Sequence, residues 1–110
     1  MTAEEFVKNF YQEKQNILNS SFDNQSEYRT LVSSKIEELN LDKLQTEKLK
    51  EIVSNLLTDS FYTILSGLDG SASIGDSEES FKIYDEEDNL ISEGGDLEGL
   101  AYEYFHGDNK

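Results

Sequence analysis

Between Thr46 and Gly67, Leu49, Ile52, Val53, Leu56, Leu57, Ser60, Phe61, Ile64 and Leu65 recur at three- and four-residue steps without a proline. That spacing is helical and predicts one long helix with an apolar side. Thr46, with Glu47 behind it, is the expected start. Ser66-Gly67 or Gly70 is the expected stop, since glycine tolerates the left-handed backbone that ends many helices. The repeat is too short for a coiled-coil seam, so the helix is expected to be the centre of the core.

Two further helices precede it. Thr2-Ala3-Glu4-Glu5 reads as a capping box, in which Thr2 accepts from the Glu5 N–H and the Glu5 side chain reaches back. Phe6, Val7, Phe10, Tyr11, Ile17 and Leu18 follow at helical spacing, up to Asn19 or Ser20. After a loop, Ser26 is the expected cap of a helix carrying Tyr28, Leu31, Val32, Ile36 and Leu39 and ending near Asn40.

Beyond Gly70 the texture changes. Ser71-Ala72-Ser73-Ile74-Gly75 is followed by Phe81-Lys82-Ile83-Tyr84, which alternates and is rich in strand-forming residues. Asp85-Glu86-Glu87-Asp88-Asn89 makes a turn before Leu90-Ile91-Ser92, predicting a β-meander. Gly94-Gly95 breaks the chain and Asp96 is the expected cap of a last helix bearing Leu97, Leu100, Ala101, Tyr104 and Phe105. The expected fold is α+β: three N-terminal helices packed with a small antiparallel β-meander and a C-terminal helix. Residues 1–110 form one expected domain, helical over residues 1–68 and built of strands and the terminal helix over residues 69–110.

Charge narrows the function classes. The chain carries 24 acids against nine bases, a formal net of −15. Residues 1–68 hold 11 acids and seven bases, net −4, whereas residues 69–110 hold 13 acids with only Lys82 and Lys110, net −11. Such a field repels nucleic acid and anionic membrane and attracts basic surfaces. Absence of cysteine removes disulfides, thiolate metal sites and a cysteine nucleophile, and fits a reducing cytoplasm. Met1 to Phe10 has no basic n-region, and no stretch approaches the length of an apolar membrane span.

Motifs for chemistry are sparse. His106 has no Ser or Cys in a recognisable arrangement with it, and a helix C-terminus suits histidine for structural reasons. Asp69, Ser71 and Ser73 alternate as at the start of a calcium loop. Ile74 then stands where that loop needs glycine, and Ser80 where it needs glutamate. The glycine-rich pieces lack the lysine of a phosphate loop. No catalytic, cofactor or metal residue is therefore assigned, and no cofactor is expected.

The acidic surface with aromatic side chains remains. The candidate protein-binding face is Asp76, Glu78, Glu79, Tyr84, Asp85, Glu86, Glu87, Asp88, Glu93, Glu98, Tyr102 and Glu103. Carboxylates steer and pair with Arg or Lys, and tyrosine rings serve as anchors. In size, charge, lack of cysteine and the texture from Ser66-Gly67-Leu68-Asp69-Gly70 to Tyr84-Asp85-Glu86-Glu87-Asp88-Asn89, the chain resembles bacterial immunity proteins and antitoxins. The likeness covers about 45 residues of the C-terminal region and carries over no residue roles. It implies an inhibitor that caps a basic protein partner such as a toxin or nuclease, with no direct nucleic acid and no membrane contact; oligomeric state stays open. A nucleic-acid mimic would instead set its carboxylates in rows about 6–7 Å apart, following the phosphates of a strand. A metal-dependent sensor or small enzyme would show a melting point raised by Ca²⁺, Mg²⁺ or Mn²⁺.

Overall fold

The computed structural model describes residues 1–23 and 29–107. Among these residues four helices follow one another: α1 (Ala3–Phe22), α2 (Leu31–Glu38), α3 (Lys43–Leu68) and α4 (Asp96–Phe105). No sheet forms among the described residues, which corrects the α+β expectation to an all-helical fold.

Local capping explains where the helices begin. At α1 the expected box forms, with the Glu5 N–H donating to Thr2 Oγ1 at 3.1 Å and the Thr2 N–H donating to Glu5 Oε1 at 3.2 Å. At α2 the cap is Thr30, paired reciprocally with Ser33 at 3.0 Å in both directions. The expected cap Ser26, and Tyr28, lie outside the described residues. The long helix starts earlier than Thr46 because Asp42 and Gln45 form a box of their own. The Gln45 N–H donates to Asp42 Oδ1 at 2.8 Å, and the Asp42 N–H donates to Gln45 Oε1 at 3.1 Å. Thr46 falls inside the first turn. The other end closes at Gly70, whose φ of +81° suits glycine. There Ser71 N–H bonds Ser66 O at 2.9 Å and Gly70 N–H bonds Gly67 O at 3.1 Å, satisfying carbonyls the helix leaves open.

The predicted β-meander reduces to two isolated antiparallel bridges, Ile74 with Ser77 and Tyr84 with Leu90. Its turn does form. Asp85 Oδ1 accepts from the Glu87 and Asn89 N–H groups at 2.9 and 3.0 Å, and Asp88 takes a positive φ of 66°. One step further out, the ladder is diverted: the Ile83 N–H donates to Ser92 Oγ at 2.9 Å, and that hydroxyl donates to Phe81 O at 2.6 Å. Meanwhile the Phe81 N–H bonds Leu68 O at the end of α3, at 3.2 Å. A side chain and a helix end thus take the groups a strand would have used, and a two-stranded ribbon alone is marginal.

α4 also departs from expectation, since Gly95 with φ of +84° is its N-cap and Asp96 lies in the first turn. The side-chain cap comes from elsewhere. Asp69, at the C-terminal end of α3, accepts the Glu98 N–H with Oδ2 at 3.2 Å, so one carboxylate links the end of one helix to the start of another.

The core cluster is Val7, Leu65, Ile91, Leu97, Ala101 and Phe105, all essentially inaccessible, with Phe6, Phe10, Tyr11, Phe61, Ile83 and Tyr104 packed on it. Phe105 stands edge-on to Tyr11 and Phe61, with centroids 5.5 and 6.2 Å away. Every buried member of this cluster comes from the first turns of α1, the last turns of α3, the loop after it, or α4. The long helix is therefore core-forming only in its second half; Leu49, Ile52, Val53 and Leu56 lie on a different side from Phe61, Leu65 and Leu68 and are not buried. The molecule measures 46 × 30 × 27 Å, and its radius of gyration of 16.3 Å exceeds the ~13 Å of a compact chain of this length.

Candidate protein-binding face

The acidic residues reach the surface because the segment between α3 and α4 is held down at a few points and is otherwise outside. Ile91 is its buried anchor, bonded through its N–H to Ile83 O at 2.7 Å. At its start, Gly67 is buried against Ile74, where a Cβ would lie 2.1 Å from Ile74 Cγ1. Between and beyond these points Asp76, Glu78, Glu79, Glu86, Glu87, Asp88 and Glu93 are exposed, as are Tyr84, Tyr102 and Glu103. Tyr84 and Tyr102 are each more than half exposed, as an interface anchor requires.

Two carboxylates of the face are engaged within the protein. Asp85 accepts from the N-terminal ammonium of Met1 as well as from the turn and the Asn89 side chain. That ammonium, then the Asn89 N–H and amide, hold its carboxyl well below the usual carboxylate range. Asp85 is thus the organiser of the turn, and Glu86, Glu87 and Asp88 are what the turn displays. Glu98 accepts the Tyr62 hydroxyl, which pushes the Tyr62 phenol up from its ordinary value.

The twelve residues do not converge on one point. Asp76 to Glu79 and Tyr84 to Asp88 lie along the loop, while Glu98 and Tyr102 share an edge of α4 next to Tyr62. The Tyr62 ring meets Tyr102 at 6.2 Å and His106 at 4.8 Å between centroids. No hydrogen bond or ring contact among the described residues joins this edge to the turn at Tyr84–Asp88. What results is exposed acids spread along the loop and along the edge of α4, each stretch with one exposed tyrosine, and not a pocket that gathers them.

Two features here lie outside the acidic pattern of the sequence. Glu98, Tyr102 and His106 fall at four-residue steps, which was a readable sign of one helix edge. Lys14 stands between Tyr11 and Leu18 on the apolar side of α1, and it is buried, donating from Nζ to Thr58 Oγ1 at 2.7 Å. Its ammonium lies 5.9 Å from the Tyr11 ring centroid. With Ser54, Asn55, Thr58, Asp59 and His106 it lines a polar cleft of about 410 Å³.

Asp69, the head of the rejected calcium pattern, serves as the cap of α4. Among the described residues no group of three or more His, Asp or Glu side chains is placed to hold a metal ion, and no helix is long and apolar enough to cross a membrane. No protein-family model, curated protein or solved structure matches the chain.

Proposed function

We propose that this protein acts by binding, covering a basic surface of another protein with the acidic face of its C-terminal region, as immunity proteins and antitoxins do, and that it does so in the cytoplasm. The observation that carries this reading is the exposure of Asp76, Glu78, Glu79, Glu86, Glu87, Asp88, Glu93 and Glu103 on a stretch whose bases are Lys82 and Lys110 alone. Carboxylates kept for solubility need no particular backbone. Here Asp85 organises a turn that presents three consecutive acids, with Tyr84 exposed at its foot. Such a surface speeds encounter with a basic partner and loses strength as salt rises.

The test compares the wild type with the Glu86→Lys, Glu87→Lys double variant, each immobilised and exposed to lysate of the source cell. A basic protein retained by the wild type, eluted by raised salt and lost by the variant is the expected result. Retention that neither charge reversal nor salt alters contradicts the reading. Because both positions are exposed, the variant's thermal melt should stay close to that of the wild type.

A further inference from the structure

Among the described residues, six aliphatic side chains are at least half exposed: Leu31, Val32, Leu39, Leu44, Ile52 and Leu56, with Leu31 reaching 76%. All belong to α2, the link after it and α3 as far as Leu56. In α3, Leu49, Ile52, Val53 and Leu56 fall at i, i+3, i+4 and i+7, a complete apolar stripe. α2 packs against α1 and not against α3, so an open groove of about 680 Å³ runs between α2 and this stripe. Leu31, Val32, Ile36, Leu39, Leu49 and Val53 line it, with Lys35 and Glu38 at its edge.

The charge around the groove says what fits it. Residues 29–57 hold five bases, Arg29, Lys35, Lys43, Lys48 and Lys50, and five acids, Glu37, Glu38, Asp42, Glu47 and Glu51, so their net charge is zero. Residues 69–107 hold 12 acids and one base, net −11. Two copies of a chain with net −15 repel over most of their surfaces, and this neutral region is where they can approach. The charged residues at its edge, Lys35 and Glu38, are of opposite sign and pair with each other at 3.8 Å, so the same face on two copies meets across a two-fold axis without net repulsion at the rim. α3 is 26 residues long and so extends about 39 Å at 1.5 Å per residue. The acidic loop follows its far end, and where it turns back Ser73, Ile74 and Gly75 line a pocket with Asp59 to Ile64 of α3, past the residues that line the groove.

We propose that the apolar groove between α2 and α3 is a self-association surface that takes the same face of a second copy of this chain. The pair buries the stripe of α3 and the exposed side of α2 from each copy and leaves both acidic faces outward and free. This surface is independent of the acidic face and differs from it in the sign of its salt response. Screening relieves repulsion between the copies, so the pair tightens with salt, whereas capture of a basic partner weakens.

Sedimentation equilibrium of the purified full chain over a wide concentration range tests this, at ionic strengths of about 0.01 M and about 1 M, between which the screening length falls from about 30 to about 3 Å. The expected result is a mass rising to that of two chains, with a dissociation constant lower in high salt by on the order of tenfold. The Ile52→Lys, Leu56→Lys variant stays at the mass of one chain with an unchanged helical spectrum, and Leu31→Gln weakens the pair. Glu86→Lys, Glu87→Lys associates at least as well as the wild type, which separates this surface from the acidic one. A wild type that stays monomeric in high salt, as it would if the groove served a different protein, overturns the proposal. So does a double-lysine variant that associates like the wild type.

Discussion

The two ends of this molecule use the same kinds of side chain to different effect. At one end, Val7, Leu65, Leu97, Ala101 and Phe105 are fully enclosed by α1, α3 and α4, and Ile91 pins the acidic loop onto them. At the other, Leu31, Val32, Leu39, Ile52 and Leu56 have the periodicity of core residues and remain in contact with solvent. Helical spacing states that a segment has an apolar side; whether that side is covered depends on how many helices reach it. Three reach the first end, and α2, eight residues long and leaning on α1, leaves the second open.

The largest expected effect separates the ends directly. Phe105→Ala should lower stability by about 3–5 kcal/mol, because it removes an enclosed ring from among Tyr11 and Phe61. Ile52→Ala, at 62% exposure, should stay within about 0.5 kcal/mol in dilute solution. Denaturant unfolding of both variants checks the pair of values; comparable losses would mean that the stripe of α3 contributes to the folded monomer as the core does.

The comparison also shows how far the sequence was readable. Thr2 with Glu5 could be read correctly because a capping box is complete within four residues. Asp42 with Gln45 had the same form, yet Thr46, lying on the pattern one turn later, looked like the start. The alternation at Phe81–Tyr84 was a true local signal, and the turn that leads on to Leu90–Ser92 exists. What no local pattern states is that the Ser92 hydroxyl occupies the place of the next ladder bond and that Leu68 takes the Phe81 N–H. Exposure of the acidic residues was legible from their type. The internal engagement of Asp85 and Glu98 was not, since their partners, Met1 and Tyr62, are 84 and 36 positions away.

A smaller effect probes the joint between loop and core. Asp69→Ala removes the carboxylate that caps α4 from the end of α3, and should cost about 1 kcal/mol, typical of a lost cap. Asp69→Asn should recover some of it, because the amide oxygen can still accept the Glu98 N–H. A loss from Asp69→Ala as large as that from Phe105→Ala would place the weak point of the enclosed end at this joint and not in its apolar packing.

Native-state hydrogen exchange along α3, on dilute protein carrying Ile52→Lys and Leu56→Lys to exclude association, tests most directly the claim that one helix serves two ends differently. Amides from Phe61 to Leu68 should exchange only through global unfolding, together with Ala101 and Phe105, while those from Glu47 to Val53 and in α2 exchange by local opening. Uniform, high protection along the whole of α3 would contradict it.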